Sequence, residues 1–176
     1  VTIHSFFQFP FAPFIPGAIN AAEDFKLTKQ KMRIIRHLDL IVIDEISMVR
    51  ADLLDRIDFT LRRLRDGSKP FGGVQLLLIG DLQQLAPVVT EAELPLIEKA
   101  YDSPFFFSSK ALQQSGFLTI ELSHVFRQSD AHFLDLLNAV RTNTLSANQL
   151  AQLNARYLPN FHPKDEEGYI RLVTHN

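Results

Sequence analysis

Cysteine and tryptophan are both absent from the 176 residues. Without cysteine there is no disulfide framework, no thiolate nucleophile and no zinc site built on sulfur. An excess of charge is lacking too. Against 20 Asp and Glu stand 18 Lys and Arg, a formal net charge of −2, which excludes a bulk-basic nucleic-acid coat protein. No run approaches the roughly 18 apolar residues that cross a bilayer, and the N-terminus lacks the basic, apolar, small-residue order of a signal peptide. A cytoplasmic protein that neither spans a membrane nor is secreted is the expectation. Six histidines, at positions 4, 37, 124, 132, 162 and 175, have no metal-site spacing.

What is present suits a globular domain: 46% apolar and 22% charged residues can bury a real core at this length. The chain begins at Val1, and its first residues read as the interior of a longer sequence, so a fragment is expected. Five phenylalanines (Phe6, Phe7, Phe9, Phe11, Phe14) fall among Pro10, Pro13 and Pro16, where the prolines preclude a continuous helix. An extended or looped segment is predicted over residues 1–20, its aromatic rings either packing in the core or stacking on a ligand.

Residues 21–37 read as a helix carrying Lys26, Lys29, Lys31, Arg33 and Arg36, either a phosphate-tracking face or a solvated one. Residues 38–43 and 74–79 are short apolar runs that predict strands buried on both faces of a parallel sheet. Between them, Leu53, Ile57, Leu61 and Leu64 recur at helical spacing, and Gly67 follows as a stop. Strand, helix and strand make a right-handed βαβ unit. A short helix over 109–114, a third strand over 117–122, helices after Arg127 with a capping box at Ser146 and Gln149, and a last strand over 169–173 complete an α/β class.

Asp44 and Glu45 follow the first strand, and Gly80-Asp81-Leu82-Gln83-Gln84 follows the second. Open α/β sheets place their ligand crevice at the carboxyl ends of their strands. There, one acid can hold Mg²⁺ while a second orients and deprotonates a water that attacks a phosphoryl group. A Gln amide can donate to a γ-phosphate oxygen and accept from that water. Taken singly, the acids can equally begin a loop, and Gln84 can be a loop amide bonded to nearby backbone.

Together these residues carry a resemblance. Leu40-Ile41-Val42-Ile43-Asp44-Glu45-Ile46-Ser47-Met48-Val49 resembles the Walker B motif, and Gly80 through Val88 resembles motif III, of superfamily 1 DNA helicases on the Pif/RecD branch, the Pif-type helicases most of all. Thr2-Ile3-His4-Ser5-Phe6-Phe7 resembles the end of motif Ia, and Glu121-Leu122-Ser123-His124-Val125-Phe126-Arg127-Gln128 resembles motif IV. Leu172-Val173-Thr174-His175-Asn176 is similar to the start of that family's second RecA-like domain.

The resemblance implies a RecA-like P-loop NTPase fold: an incomplete parallel sheet with flanking helices over residues 1–128, then helices leading into a second RecA-like domain over 129–176. It implies Asp44 on Mg²⁺ with ATP, Glu45 as general base, Gln84 as γ-phosphate sensor and Arg127 as an arginine meeting the γ-phosphate across the cleft. Asp44, Glu45, Gln84 and Arg127 are thus the ATP-binding set, and Thr2, His4, Ser5 and Phe6 the candidate contacts to single-stranded DNA. The implied activity is ATP-driven translocation on single-stranded DNA and unwinding of forks, 5′-to-3′, in the nucleoid-containing cytoplasm or in a nucleus. For Arg127 alone a surface ion pair is the other reading, and for any one Phe a place in the core.

The family's Gly-Lys-Ser/Thr nucleotide loop is not among these residues, nor are its motifs V and VI, and Leu112 stands where the family pattern has an aromatic. The loop is expected upstream of Thr2, and the strand that feeds it inside the sheet, so unpaired strand edges and exposed apolar surface are expected here. The 176 residues alone are expected to be inactive. The competing reading is a catalytically silent RecA-like module that binds single-stranded DNA or a protein partner.

Overall fold

The computed structural model describes residues 1–15, 27–170, 172 and 173. The chain divides into two units, Val1–Glu121 and Leu122–Asn176. In the first, β1 (Leu40–Ile43) and β2 (Gln75–Leu78) pair in parallel, with Leu40 opposite Gln75 and Ile43 opposite Leu78. The helix that connects them, here α3 (Ala51–Leu64), supplies the centre of the core. Parallel strands need such a crossover.

α3 is buried more completely than its leucine stripe predicts. Leu54, Ile57 and Leu61 have no exposed surface, whereas Leu53 and Leu64 pack only at the margin. Asp52, Asp55 and Arg56 are only 2%, 5% and 7% exposed despite their charge. Around this helix pack α2 (Lys29–Arg36), α5 (Lys110–Ser115), a tight Pro70–Gly73 turn that is left-handed at Phe71 and Gly72, and a one-turn 3₁₀ segment, Phe106–Ser108. The turn at Pro70–Gly73 lies against the last turn of α3. A Cβ on Gly72, whose φ is +60°, would sit 2.6 Å from the Leu61 carbonyl oxygen, so only glycine fits. α4 (Leu94–Ala100) buries Ile97 beside Ala51 and Tyr101 in a smaller cluster.

Several expectations need correction. Residues 1–15 are not wholly looped: α1 (Ile3–Phe7) forms before the first proline, because Thr2 caps it and Gln8 ends it in the left-handed region, while residues 16–20 of that expectation lie outside the described residues. In the basic segment only Lys29–Arg36 is helical among the described residues, since Thr28 takes the N-cap role; residues 21–26 of that expectation lie outside the described residues. The strands are not covered on both faces. Leu40, Val42 and Leu77 are 46%, 53% and 48% exposed, with no layer over them among the described residues.

The expected strand over 117–122 does not pair. Residues 117–120 instead share with β2 an apolar cavity of about 610 Å³ lined by Leu76, Leu78, Phe106, Leu112, Phe117 and Ile120. Among the described residues β2 has β1 as its only ladder partner. The expected strand over 169–173 is likewise not formed at residues 169, 170, 172 and 173.

In the second unit, α6 (Ala131–Arg141) starts at Asp130, whose carboxylate accepts the Phe133 N–H, and buries Leu136 and Ala139. α7 (Ala147–Asn154) carries the predicted capping box: Ser146 Oγ accepts the Gln149 N–H and the Gln149 side chain returns to the Ser146 N–H.

Candidate nucleotide and DNA site

The register of the two strands brings Asp44, Glu45 and the Gly80–Gln84 turn to one end of the sheet. Beyond Ile43 the ladder continues for one exchange, Ile79 N–H donating to the Ile43 carbonyl and Ile46 N–H to the Ile79 carbonyl, each at 2.9 Å. Asp44 and Glu45 are looped out between those bonds, both exposed. Glu45 sits at φ 52°, ψ 45°, a left-handed conformation that is strained for a residue with a Cβ. Its N–H donates to Asp44 Oδ1 at 2.9 Å, which fixes the Asp44 carboxylate against the Glu45 backbone. Asp44 Oδ2 accepts no hydrogen bond among the described residues.

Gly80 makes this approach possible. A Cβ there would lie 2.9 Å from Ile46 N and from Ile46 Cγ2, and 3.2 Å from Ser47 N. Ser47 is buried, and its hydroxyl has no partner among the described residues. Gln84 is exposed, and its amide is held by Asp81: Gln84 Nε2 donates to Asp81 Oδ2 at 3.0 Å, while Asp81 Oδ1 accepts the Gln83 N–H at 3.0 Å. The sequence reading missed Asp81 and Gly80. An Asp followed by a polar loop is a turn signal that could have found the first.

The motif Ia residues stand on α1. Thr2 and Ser5 are exposed, and each hydroxyl proton is already committed, Thr2 Oγ1 donating to Ser5 Oγ and Ser5 Oγ to the Thr2 carbonyl, both at 3.0 Å. Their oxygens remain acceptors, so donation to a phosphate requires one of these bonds to break. Phe6 is half-buried, edge-on to Phe7 at 4.9 Å, and the Lys31 ammonium stands 4.6 Å above its ring centroid. That face is therefore covered by a cation.

His4 stacks on Phe11 at 4.8 Å and forms one wall of a cleft of about 490 Å³. Burial, reinforced by Arg56 and then Arg50, holds its imidazole below the ordinary histidine range. The opposite walls come from the segments that trail the two strand-end loops, Met48 and Arg50 after the first, Val88 and Thr90 after the second. Arg50 ties those segments together. Its guanidinium forks onto Asp52 at 2.8 and 2.7 Å and reaches Glu93 at 3.0 Å. Glu93 in turn accepts the Thr90 N–H and hydroxyl at 3.1 and 2.8 Å, and these bonds with Arg50 keep its carboxyl below the usual range.

Arg127 is exposed and lies in the second unit, ahead of α6. Among the described residues no three His, Asp or Glu cluster in a way that could enclose a metal ion.

Set beside known proteins, residues 1–150 match the model of the PIF1-like helicase family. The human ATP-dependent DNA helicase PIF1 is 40% identical over 137 residues, 77% of this chain and 20% of the human protein. A Bacteroides Pif1 crystal structure with bound single-stranded DNA superposes with a TM-score of 0.84 at 36% identity, over 94% of this chain and 38% of that one. Bacteroides Pif1 in complex with ADP-AlF3 and single-stranded DNA gives 0.81 at 36% identity, over 92% and 38%. The chain thus spans about a fifth of the curated relative's length and under two fifths of the solved chains. The α/β fold, with its parallel pair and flanking helices, is that of a partial RecA-like domain. By family model, sequence identity and structure alike, the chain belongs to the PIF1-like helicase family.

Proposed function

We propose that these residues form the nucleotide-facing edge and part of the DNA-facing surface of an ATP-dependent DNA helicase motor. The observation that carries this reading is the juxtaposition of Asp44 and Glu45 with the Gln84 turn across a gap bridged by Gly80. In this reading Glu45 takes the proton of the attacking water, and Gln84 orients that water against the γ-phosphate. Arg127 stabilises charge on the transferring phosphoryl group.

Mg²⁺ is commonly held by one or two carboxylates together with substrate phosphates. Asp44, exposed and with Oδ2 taking no hydrogen bond among the described residues, fits that demand for a hard oxygen ligand. The ion would neutralise developing phosphate charge. Support for nucleotide and single-stranded DNA as ligands comes from the Bacteroides relative, solved with ADP-AlF3 and with single-stranded DNA. Direction of travel, 5′-to-3′, and action on forks rest on the motif resemblance.

His4 and the segments that trail both strand-end loops share one cleft, which gives a contiguous path between a DNA contact and the nucleotide edge. By the motif resemblance, the strand that feeds the nucleotide loop lies inside the same sheet and is not among these residues. Hydrolysis therefore requires more than these residues, and the test uses the full-length gene product. Glu45→Gln is expected to lower ATP turnover by about 10² to 10⁴ while leaving nucleotide affinity intact. Ordinary turnover in that variant would sink the Glu45 assignment, whereas no ATP turnover in the parental full-length product would leave a silent DNA-binding module as the better account.

A further inference from the structure

We infer that Asp81 is a positioning residue that fixes which end of the Gln84 amide faces the reacting groups. The inference rests on the reading of Gln84 given above. One residue holds Gln84 twice: the Asp81 carbonyl accepts the Gln84 N–H, and Asp81 Oδ2 accepts Gln84 Nε2, both at 3.0 Å. The other carboxylate oxygen closes the turn on the Gln83 N–H at 3.0 Å.

The chemistry of the pair dictates the orientation. A side-chain amide has nearly the same shape in its two flipped forms, and an exposed one samples both. An ionised carboxylate only accepts, so the end of Gln84 that meets Asp81 must be the NH₂ group. One N–H then remains for a phosphate oxygen, and Oε1, with both lone pairs, remains for the proton of a water. A flipped amide would present its oxygen to Asp81, two acceptors in contact, and so is disfavoured. Asp81 thereby selects the one form of Gln84 that can donate to phosphate and accept from water together. It acts through Gln84.

Asp81→Asn separates this role from turn stiffness. The asparagine carbonyl can still accept the Gln83 N–H, and that bond forces its NH₂ toward Gln84. Gln84 must answer with Oε1, which reverses the amide. In the full-length gene product, ATP turnover is expected to fall by about 10- to 100-fold, since one oriented donor is worth about 10² to 10³ when removed outright. The thermal midpoint and the KM for ATP are expected to stay at parental values.

The double variant Asp81→Asn/Gln84→Glu keeps the donor-to-acceptor pair across the turn with a fixed acceptor at position 84 but supplies no N–H for phosphate, and its turnover is expected to stay low. Recovery in the double variant, or a loss in Asp81→Asn that tracks a fall in thermal midpoint, assigns Asp81 to the turn alone and overturns the inference. Parental turnover in Asp81→Asn while Gln84→Ala is impaired overturns it too, leaving the role of Gln84 standing. Parental turnover in Gln84→Ala removes both.

Discussion

Replacing Gly80 with alanine probes whether the strand-end loops are held at the spacing described. The new Cβ would lie 2.9 Å from Ile46 N and Ile46 Cγ2 and 3.2 Å from Ser47 N. Comfortable contact begins near 3.5 Å, so the fit is short by about 0.5 Å. Two of the three atoms are backbone, and one of them, Ile46 N, already donates to the Ile79 carbonyl at 2.9 Å. The clash cannot be absorbed by a rotamer change and must part the two loops or stretch that bond. Overpacking of this kind costs about 1 to 3 kcal/mol. A displacement of 1 Å can cost about 10² in rate, so half that shift predicts roughly a tenfold loss of ATP turnover in the full-length product. Gly67→Ala is the matched control, because a Cβ there meets only the Arg62 carbonyl oxygen at 3.8 Å. Its expected effect is neutral or stabilising by under about 1 kcal/mol. Thermal unfolding and steady-state turnover of both variants decide the matter. Parental stability and turnover in Gly80→Ala would refute the close approach.

Asp55→Ala is expected to destabilise the chain by about 3 to 5 kcal/mol, because the Tyr101 hydroxyl, Ser109 and the N–H groups of Lys110 and Ala111 lose a buried acceptor at about 1 to 3 kcal/mol each, with overlap. A shift in urea unfolding of under about 1 kcal/mol would contradict it. His4 gives a pH prediction. Its depressed pKa means that the folded chain takes up the proton less readily than the unfolded one, so stability is full above the ordinary histidine range, near 6.5, and falls as pH drops below it. His4→Gln should flatten that fall between about pH 6.5 and 5, measured as urea midpoints. An equal fall in both proteins would show that His4 contributes none of it.

What the sequence disclosed and what it hid follow from where the information lies. The βαβ order was legible because two β-branched or leucine-rich runs and a 3.6-residue stripe between them are local patterns, and both strands and α3 formed within a few residues of their predicted bounds. Burial of the strands was not legible, since it depends on layers that neighbouring segments must supply, and Val42 at 53% exposed shows such a layer absent among the described residues. The 117–122 run has strand composition, yet a strand exists only through a partner, and across from it lies the β2 cavity. At the site, Asp44, Glu45 and Gln84 could be named from their places after apolar runs. Gly80 and Asp81 could not be weighed in the same way, because their work is to hold other residues: one by leaving room, the other by hydrogen bonds across two and three positions.

The acids of α3 show the same limit in reverse, and they explain how the site's surroundings stay fixed. Asp52, Asp55 and Asp58 recur every three residues along the helix, a spacing that reads as a solvated stripe. Each instead receives a backbone N–H from a different connection: Asp52 from Phe14, Asp55 from Lys110 and Ala111, Asp58 from Phe71. Each carboxylate also has a side-chain partner, Arg50 on Asp52, Tyr101 and Ser109 on Asp55, Arg62 on Asp58. A buried carboxylate is tolerated only when its lone pairs are filled, so each acid demands that its loop be in one place. The apolar face of α3 sets the distance of the sheet, while its acidic face sets the positions of the loop after α1, the turn before β2 and the start of α5. Apolar packing admits sliding by fractions of an ångström; a charged acceptor held by two to four donors does not. Connections that would otherwise be the loosest parts of the unit are thereby pinned to its most buried helix, and the two strand ends that carry Glu45 and Gln84 inherit that rigidity.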